Sequence, residues 1–238
     1  MPPGTLSDPA EDAVASLAAV TAEVVRCRRC PRLVAWREEV ARRAPARFAD
    51  QTYWRRPVPG FGDPRASISV VGLAPAAHGG NRTGRIFTGD RSGDFLFASL
   101  FRTGLSNQPT SVSRSDGLRL LGVYVAAVNR CAPPGNRPTP AERDNCLPYL
   151  EAELNALGRA RTIVALGAFA WDGVLRALAA LGHVARPRPA FGHLREARVG
   201  PYAVLGSFHP SQQNTFTGKL TPQMLDEVWI RARAIAGL

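Results

Sequence analysis

"SISVVGLAPAAHGGNRTGRIFTGD", residues 67–90, sets a short apolar run against a long loop rich in glycine and arginine. The run holds Ile68, Val70 and Val71 with almost no polar alternation, the mark of a strand covered on both faces. Three more runs have the same form: "GVYVAAVN" at 122–129, "RTIVALG" at 161–167 and "YAVLGSF" at 202–208. Each leads through a polar or glycine-rich loop into a helical pattern, at 93–104, 140–157, 168–182 and 221–237. Strands alternating with helices imply right-handed crossovers. The reading is α/β: a three-layer α/β/α domain around a central four-stranded parallel sheet. A further amphipathic helix is expected over Asp12–Val25, after a flexible tail at residues 1–11, so that 12–238 form one domain.

Parallel sheets carry their functional loops at the carboxyl ends of the strands. That rule gathers residues 74–92, 130–140, 168–172 and 208–220 on one rim. The odd stretches of the chain all fall there: the loop quoted above, "NRCAPPGNRPTP" at 129–140 and "SFHPSQQNTFTGKLT" at 207–221.

A chain of 238 residues with 45% hydrophobic and 21% charged residues has the composition of a globular protein. No apolar run approaches the ~18 residues of a membrane helix, and no secretory signal pattern opens the sequence. A cytoplasmic protein is expected. The formal charge of +11 favours polyanionic partners. Lys219 is the single lysine, so arginine supplies nearly all of that charge and a general compositional bias explains part of it.

The four cysteines are Cys27, Cys30, Cys131 and Cys146. The first pair has the C-x-x-C spacing that lets two thiolates grip one metal centre. An even set in a cytoplasmic chain argues for metal rather than disulfides. Structural zinc and an iron–sulfur cluster both accept four thiolates, and spacing does not separate them. The loop at 72–90 lacks the lysine of a Walker loop and the G-x-G-x-x-G of a dinucleotide fold. The histidine of "HPSQQN" stands at the end of a strand, where a reacting group is expected.

With these residues in view, the chain resembles the uracil-DNA glycosylase superfamily, most closely its family 5, the iron–sulfur enzymes. The resemblance rests on "CRRCPRLVAWREEV" at 27, "RPVPGFGDP" at 56, "GLAPAAHGGNRTGRIFTGD" at 72, "NRCAPPGNRPTP" at 129 and "HPSQQNTFTGKLT" at 209. It implies a structural [4Fe-4S] cluster on Cys27, Cys30, Cys131 and Cys146. It also implies that Phe87 stacks on a flipped base, that Asp90 and Asn136 act in the pocket, and that His209 hydrogen-bonds the pyrimidine carbonyl. Gly72, Ala74, Pro75, Ala76 and Ala77 would line the base, and Ser211, Gln212, Gln213 and Asn214 would enter the minor groove. Arg82, Arg85, Arg137 and Lys219 are the expected phosphate contacts.

The implied partner is double-stranded DNA containing uracil or another deaminated base, bound by a monomer, with no membrane partner. In the best-known members of the superfamily this loop carries an aspartate that activates water and a tyrosine that excludes the thymine methyl. Here those positions are Ala74 and Ala76. A roomier pocket follows, open to hypoxanthine and ethenocytosine as well as uracil. With its one lysine in the DNA-facing loop, the enzyme is expected to be monofunctional and to leave an abasic site. The competing readings are a non-catalytic nucleic-acid-binding protein with structural zinc and a nucleotide hydrolase. The first leaves Asp90, Asn136 and His209 without a task, and the second lacks a magnesium-binding carboxylate cluster.

Overall fold

A computed structural model describes residues 9–238. Among the described residues, six strands form one sheet: β1 (Phe61–Gly62), β2 (Ile68–Gly72), β3 (Val123–Ala127), β4 (Thr162–Leu166), β5 (Glu196–Val199) and β6 (Tyr202–Ser207). Their order is β1-β3-β2-β4-β6-β5. The inner four run parallel and every residue in them is buried. They are the four runs read from the sequence, and the α/β/α architecture is as expected.

The sheet is larger than four strands, because β1 and β5 add antiparallel edges. Two residues of β1 leave no periodic trace. In β5, Glu196 and Arg198 are exposed and Val199 is buried, so the element lacks the apolar run of an inner strand. Charge on an outer strand also discourages pairing with other chains.

The helices are α1 (Pro9–Arg26), α2 (Pro31–Arg42), α3 (Gly80–Thr83), α4 (Arg91–Arg102), α5 (Pro140–Ala156), α6 (Ala168–Ala180), α7 (Gln212–Phe216) and α8 (Pro222–Ala236). Strand alternation sorts the core into two layers. Val71, Ala126, Ile163 and Ala165 pack with Leu150 and Leu154 of α5 and Val174 and Leu178 of α6. Val70, Val125, Val164 and Leu205 pack with Leu96 and Phe97 of α4 and Val228 and Trp229 of α8.

Helix α1 begins at Pro9, so of the expected tail only residues 1–8 fall outside the described residues. Helix α2 is absent from the sequence reading. Its signals are Pro31 in the first turn and a buried stripe of Leu33, Val34, Arg37 and Val40. No described helix is long and apolar enough to cross a membrane.

Candidate active site

The loop after β2 is stiffened from within. Its start stays on the sheet, with Val128 N–H donating to Gly72 O (3.0 Å) and Asn129 N–H to Leu73 O (2.9 Å). Arg82 then clamps the turn: Nε donates to His78 O (2.7 Å), Nη2 to Gly89 O (2.9 Å) and Nη1 to Gln51 Oε1 (2.6 Å). Arg85 is buried and donates to Thr88 Oγ1 (3.0 Å), Ser111 Oγ (2.7 Å) and Asp116 Oδ2 (2.6 Å). Burial works to raise the Asp116 carboxyl, but Arg85 and the amides of Leu118, Val112 and Ser113 outweigh it and hold the group at about 2.

These contacts turn Arg85 away from the phosphate contact expected of it. Arg85 is buried beside Asp116, whereas Arg82 stays partly exposed while it reaches His78, Gly89 and Gln51. Both hold the loop in shape.

Phe87 and His209, far apart in sequence, come together at the ends of β2 and β6. Their ring centroids are 5.7 Å apart and tilted by 34°. Phe87 adopts a left-handed backbone (φ 53°), rare for an aromatic residue and a mark of local constraint. Its ring lies so close to Gly72 that a Cβ there would stand 2.7 Å from Cε2 and Cζ. Gly72 is thus the seat of the ring. His209 keeps an accessible edge, yet lies deep enough that loss of water draws its pKa down to about 4. At neutral pH it is an uncharged imidazole with one N–H to donate.

Asp90 carries out the local task its position suggests. It is the N-cap of α4, Oδ1 accepting from Gly93 N–H at 3.0 Å. Its other oxygen lies against Gly79, where a Cβ would be 2.0 Å from Oδ2. Burial raises the Asp90 carboxyl above its usual range against the opposing pull of the Gly93 and Ser92 amides. Pro75 is buried, while Ala74, Ala76 and Ala77 are partly exposed. Their small side chains leave the rim without a bulky gatekeeper.

His209 also lines a cleft of about 280 Å³ shared with Phe169, Phe191, Phe208, Asn214 and Lys219. Asn214 Nδ2 donates to His209 O (2.8 Å), fixing the histidine backbone. Gln212 and Gln213 are exposed on α7, and Ser211 is partly exposed before it. Lys219 is exposed, its ammonium 4.9 Å from the centre of the Phe208 ring. Asn136 and Arg137 are exposed after β3, and Asn136 takes a left-handed backbone (φ 56°).

The sequence reading omits His193. Its Nδ1 accepts from Phe208 N–H (3.2 Å) and its ring stacks on Phe208 at 4.9 Å, so it braces the residue before His209. Nothing in "FGHLRE" announces that contact.

The four cysteines converge. All line one small cavity between the α1–α2 turn, the end of β3 and α5, together with Leu33, Arg37 and Asn145. Arg37 Nη1 donates to Cys131 Sγ (2.9 Å), and Asn145 Nδ2 lies 3.5 Å from Cys30 Sγ. Arg32 straps α2 to α5 through two 2.7 Å bonds to Glu142. Glu142 also forms a capping box with Thr139, fixing the first turn of the helix that carries Cys146. Burial pushes the thiols up, to about 12 for Cys131 and about 11 for Cys146. Metal uptake at this site would therefore release protons.

The comparisons with known proteins agree with this geometry. The model of the uracil DNA glycosylase superfamily matches residues 59–233. A type-5 uracil-DNA glycosylase of Mycobacterium bovis is 54% identical over 225 residues, covering 94% of this chain and 83% of the relative. A protein of the same name from Thermus thermophilus is 51% identical over 212 residues, covering 89% of this chain and 94% of the relative. A type-4 enzyme of Archaeoglobus fulgidus is 39% identical over 114 residues, 48% of this chain. The fold, the paired Phe87 and His209, the converging cysteines and these matches lead to one assignment: the chain belongs to the uracil DNA glycosylase superfamily, in its type-5 branch.

Proposed function

We propose that this protein excises uracil from double-stranded DNA, acting as a monofunctional glycosylase in repair. The observation that carries the reading is the Phe87–His209 pair, 5.7 Å apart at the strand edge of a type-5 chain. A base inside a duplex is out of reach, so the nucleotide swings out at a cost of a few kcal/mol. Stacking on an aromatic ring returns about 1–3 kcal/mol.

Cleavage breaks the bond between C1′ of deoxyribose and N1 of uracil, and the bonding electrons leave with the base. Negative charge then gathers on the uracil carbonyl oxygen, where the neutral His209 N–H donates. The sugar gains oxocarbenium character, and water adds at C1′ and gives its proton to the departing uracil, leaving an abasic site. Asp90, one oxygen of which caps α4, supplies the carboxylate that stabilises that cation or orients the water. Asn136 donates to the base, and Arg137, Gln212, Gln213 and Lys219 meet the DNA backbone. Asn214 positions His209, and the exposed segment 211–213 fills the gap left by the flipped nucleotide. The protein acts as a monomer within the cytoplasm.

Cys27, Cys30, Cys131 and Cys146 would hold a [4Fe-4S] cluster. Four thiols around one cavity, with Arg37 and Asn145 donors beside the sulfurs, suit such a cluster. When bound, the cluster would supply a cross-link between the α1–α2 turn, β3 and α5. Visible absorbance of the purified protein would support iron–sulfur, and a colourless protein with bound metal would support zinc.

The absence of bulk at Ala74 and Ala76 supports a wider range that includes hypoxanthine and ethenocytosine, and thymine opposite guanine. The test is an excision assay on duplexes bearing each lesion, followed by alkali. Strand breaks at uracil are expected. No break at uracil overturns the assignment, and strict rejection of thymine overturns the roomy pocket. Borohydride trapping of a covalent DNA adduct would overturn the monofunctional mechanism.

A further inference from the structure

Beside the cysteine cavity lies a separate cleft of about 550 Å³ between α2 and the segment before β1. Six arginines converge on it: Arg26, Arg28, Arg37, Arg42, Arg55 and Arg56. Its one carboxylate, Glu38, is engaged by Arg28 at 3.0 Å. Arg42 pairs with Glu39 at 2.5 Å, but among the described residues neither Arg55 nor Arg56 has an ion-pair partner. Like charges gathered in one concavity repel, and Glu38 and Glu39 offset that repulsion only in part.

Three observations separate this cleft from an ordinary solvated face. Arg55 takes a left-handed backbone (φ 45°), a constraint that non-glycine residues keep where surrounding structure enforces it. Arg37 is 2% exposed, and with Nη1 and Nη2 held by Cys131 Sγ and Cys27 O only its Nε has no hydrogen-bond partner. Both walls are pinned to the base-pocket loop as well. Trp54 N–H donates to Arg82 O (2.9 Å) and Arg55 N–H to Asn81 O (3.1 Å), while Asn81 Nδ2 donates to Arg37 O (3.1 Å). The cleft is thus a fixed distance from Phe87. Nearby, Arg56 and Arg114 both lie over the Trp54 ring, at 5.8 and 4.4 Å, which extends the positive surface along the loop.

We infer that this cleft seats backbone phosphates of one duplex arm beside the flipped nucleotide. It takes the electrostatic task that Arg85, buried against Asp116, does not perform. The inference rests on the glycosylase reading and adds a second contact surface to it. Arginine forks suit phosphate oxygens, and a rigid track of guanidinium groups reads no sequence.

The test is the salt dependence of binding to a duplex carrying a non-cleavable deoxyuridine analogue. Each phosphate contact contributes about 0.9 to the slope of log affinity against log salt. The Arg55→Gln/Arg56→Gln double variant should lower the slope by about 1.8. Between about 50 and about 200 mM salt, affinity of the native protein should then fall about 12-fold more than that of the variant. Single-turnover excision at saturating enzyme should stay unchanged, because neither arginine touches the base. Two duplexes, each shortened on one side of the uracil, complete the test. One of them should erase the difference between native protein and variant.

An unchanged slope in the folded variant overturns the proposal, as does a difference that neither shortened duplex removes. Arg26→Gln/Arg42→Gln, at the ends of α1 and α2, provides an independent variant with the same direction of change. Failure of the native protein to excise uracil would instead overturn the functional assignment, so the two outcomes are distinct.

Discussion

Replacing Gly72 by alanine tests the seat of Phe87 with a single methyl group. The backbone of β2 at this residue is ordinary strand, so the consequence is steric. The added Cβ would stand 2.7 Å from Cε2 and Cζ of Phe87, against an optimal carbon–carbon separation of about 3.5–4.0 Å. The ring must therefore retreat by about 1 Å, and its near neighbour is the His209 imidazole. Overpacking of this size costs about 1–3 kcal/mol of stability, and a chain of this length loses about 3 °C of Tm per kcal/mol. Displacing a positioning group by about 1 Å lowers rate by about 10²-fold. The assay is single-turnover excision from a uracil duplex, with duplex affinity and Tm measured in parallel. The expected result is a rate about 10²-fold lower, affinity within about twofold of native, and a folded protein. A rate within about threefold of native in the folded variant would refute the reasoning.

His209→Ala should lower the excision rate by about 10²–10³-fold with little change in duplex affinity, the loss expected for a donor at developing negative charge. Because the His209 pKa is drawn down to about 4, the rate should show no inflection near the ordinary histidine value of about 6.5; an inflection there would mean the imidazole titrates in the working range. Asp90→Asn keeps an oxygen to cap α4, so Tm should hold within a degree or two, equivalent to about 0.5 kcal/mol. Excision should nevertheless fall, and full activity would reduce Asp90 to a cap. Arg85→Gln breaks the buried pair with Asp116 and should cost about 3 kcal/mol, the lower end for such a pair because Asp116 keeps the amides of Val112, Ser113 and Leu118. The Asp116 carboxyl is depressed to about 2, so its stabilisation is present above the unfolded value of about 4 and lost as pH falls from there toward about 2. Acid titration of Tm should show that component in full in the native protein and reduced in Arg85→Gln, where only the backbone amides still hold the carboxylate.

The inner strands were legible because a strand covered on both faces must be apolar at nearly every position, as Ile68–Gly72 and Thr162–Leu166 are. Strand β5 was not, since Glu196 and Arg198 face solvent and read as loop. Helix α2 left a signal that went unread: Pro31 followed by a buried stripe at helical spacing. At the site, the placement of Phe87 and His209 followed from the rule that functional loops gather at strand ends. The direction of an arginine did not, because charge count gives no orientation. Arg85 points inward only because Asp116, 31 positions later, folds back to meet it. Arg55 and Arg56 stand in a proline-rich connection that reads as irregular, and their cleft exists only once α2 packs beside them. His193 was equally silent, since its contact with Phe208 depends on how β5 returns to β6.

The most direct measurement is a crystal structure of the protein with a duplex bearing a non-cleavable deoxyuridine analogue. The account predicts an everted uracil stacked on Phe87, with a carbonyl oxygen about 2.7–3.2 Å from a His209 ring nitrogen. A uracil still paired in the helix, or everted to a place remote from both rings, would contradict it.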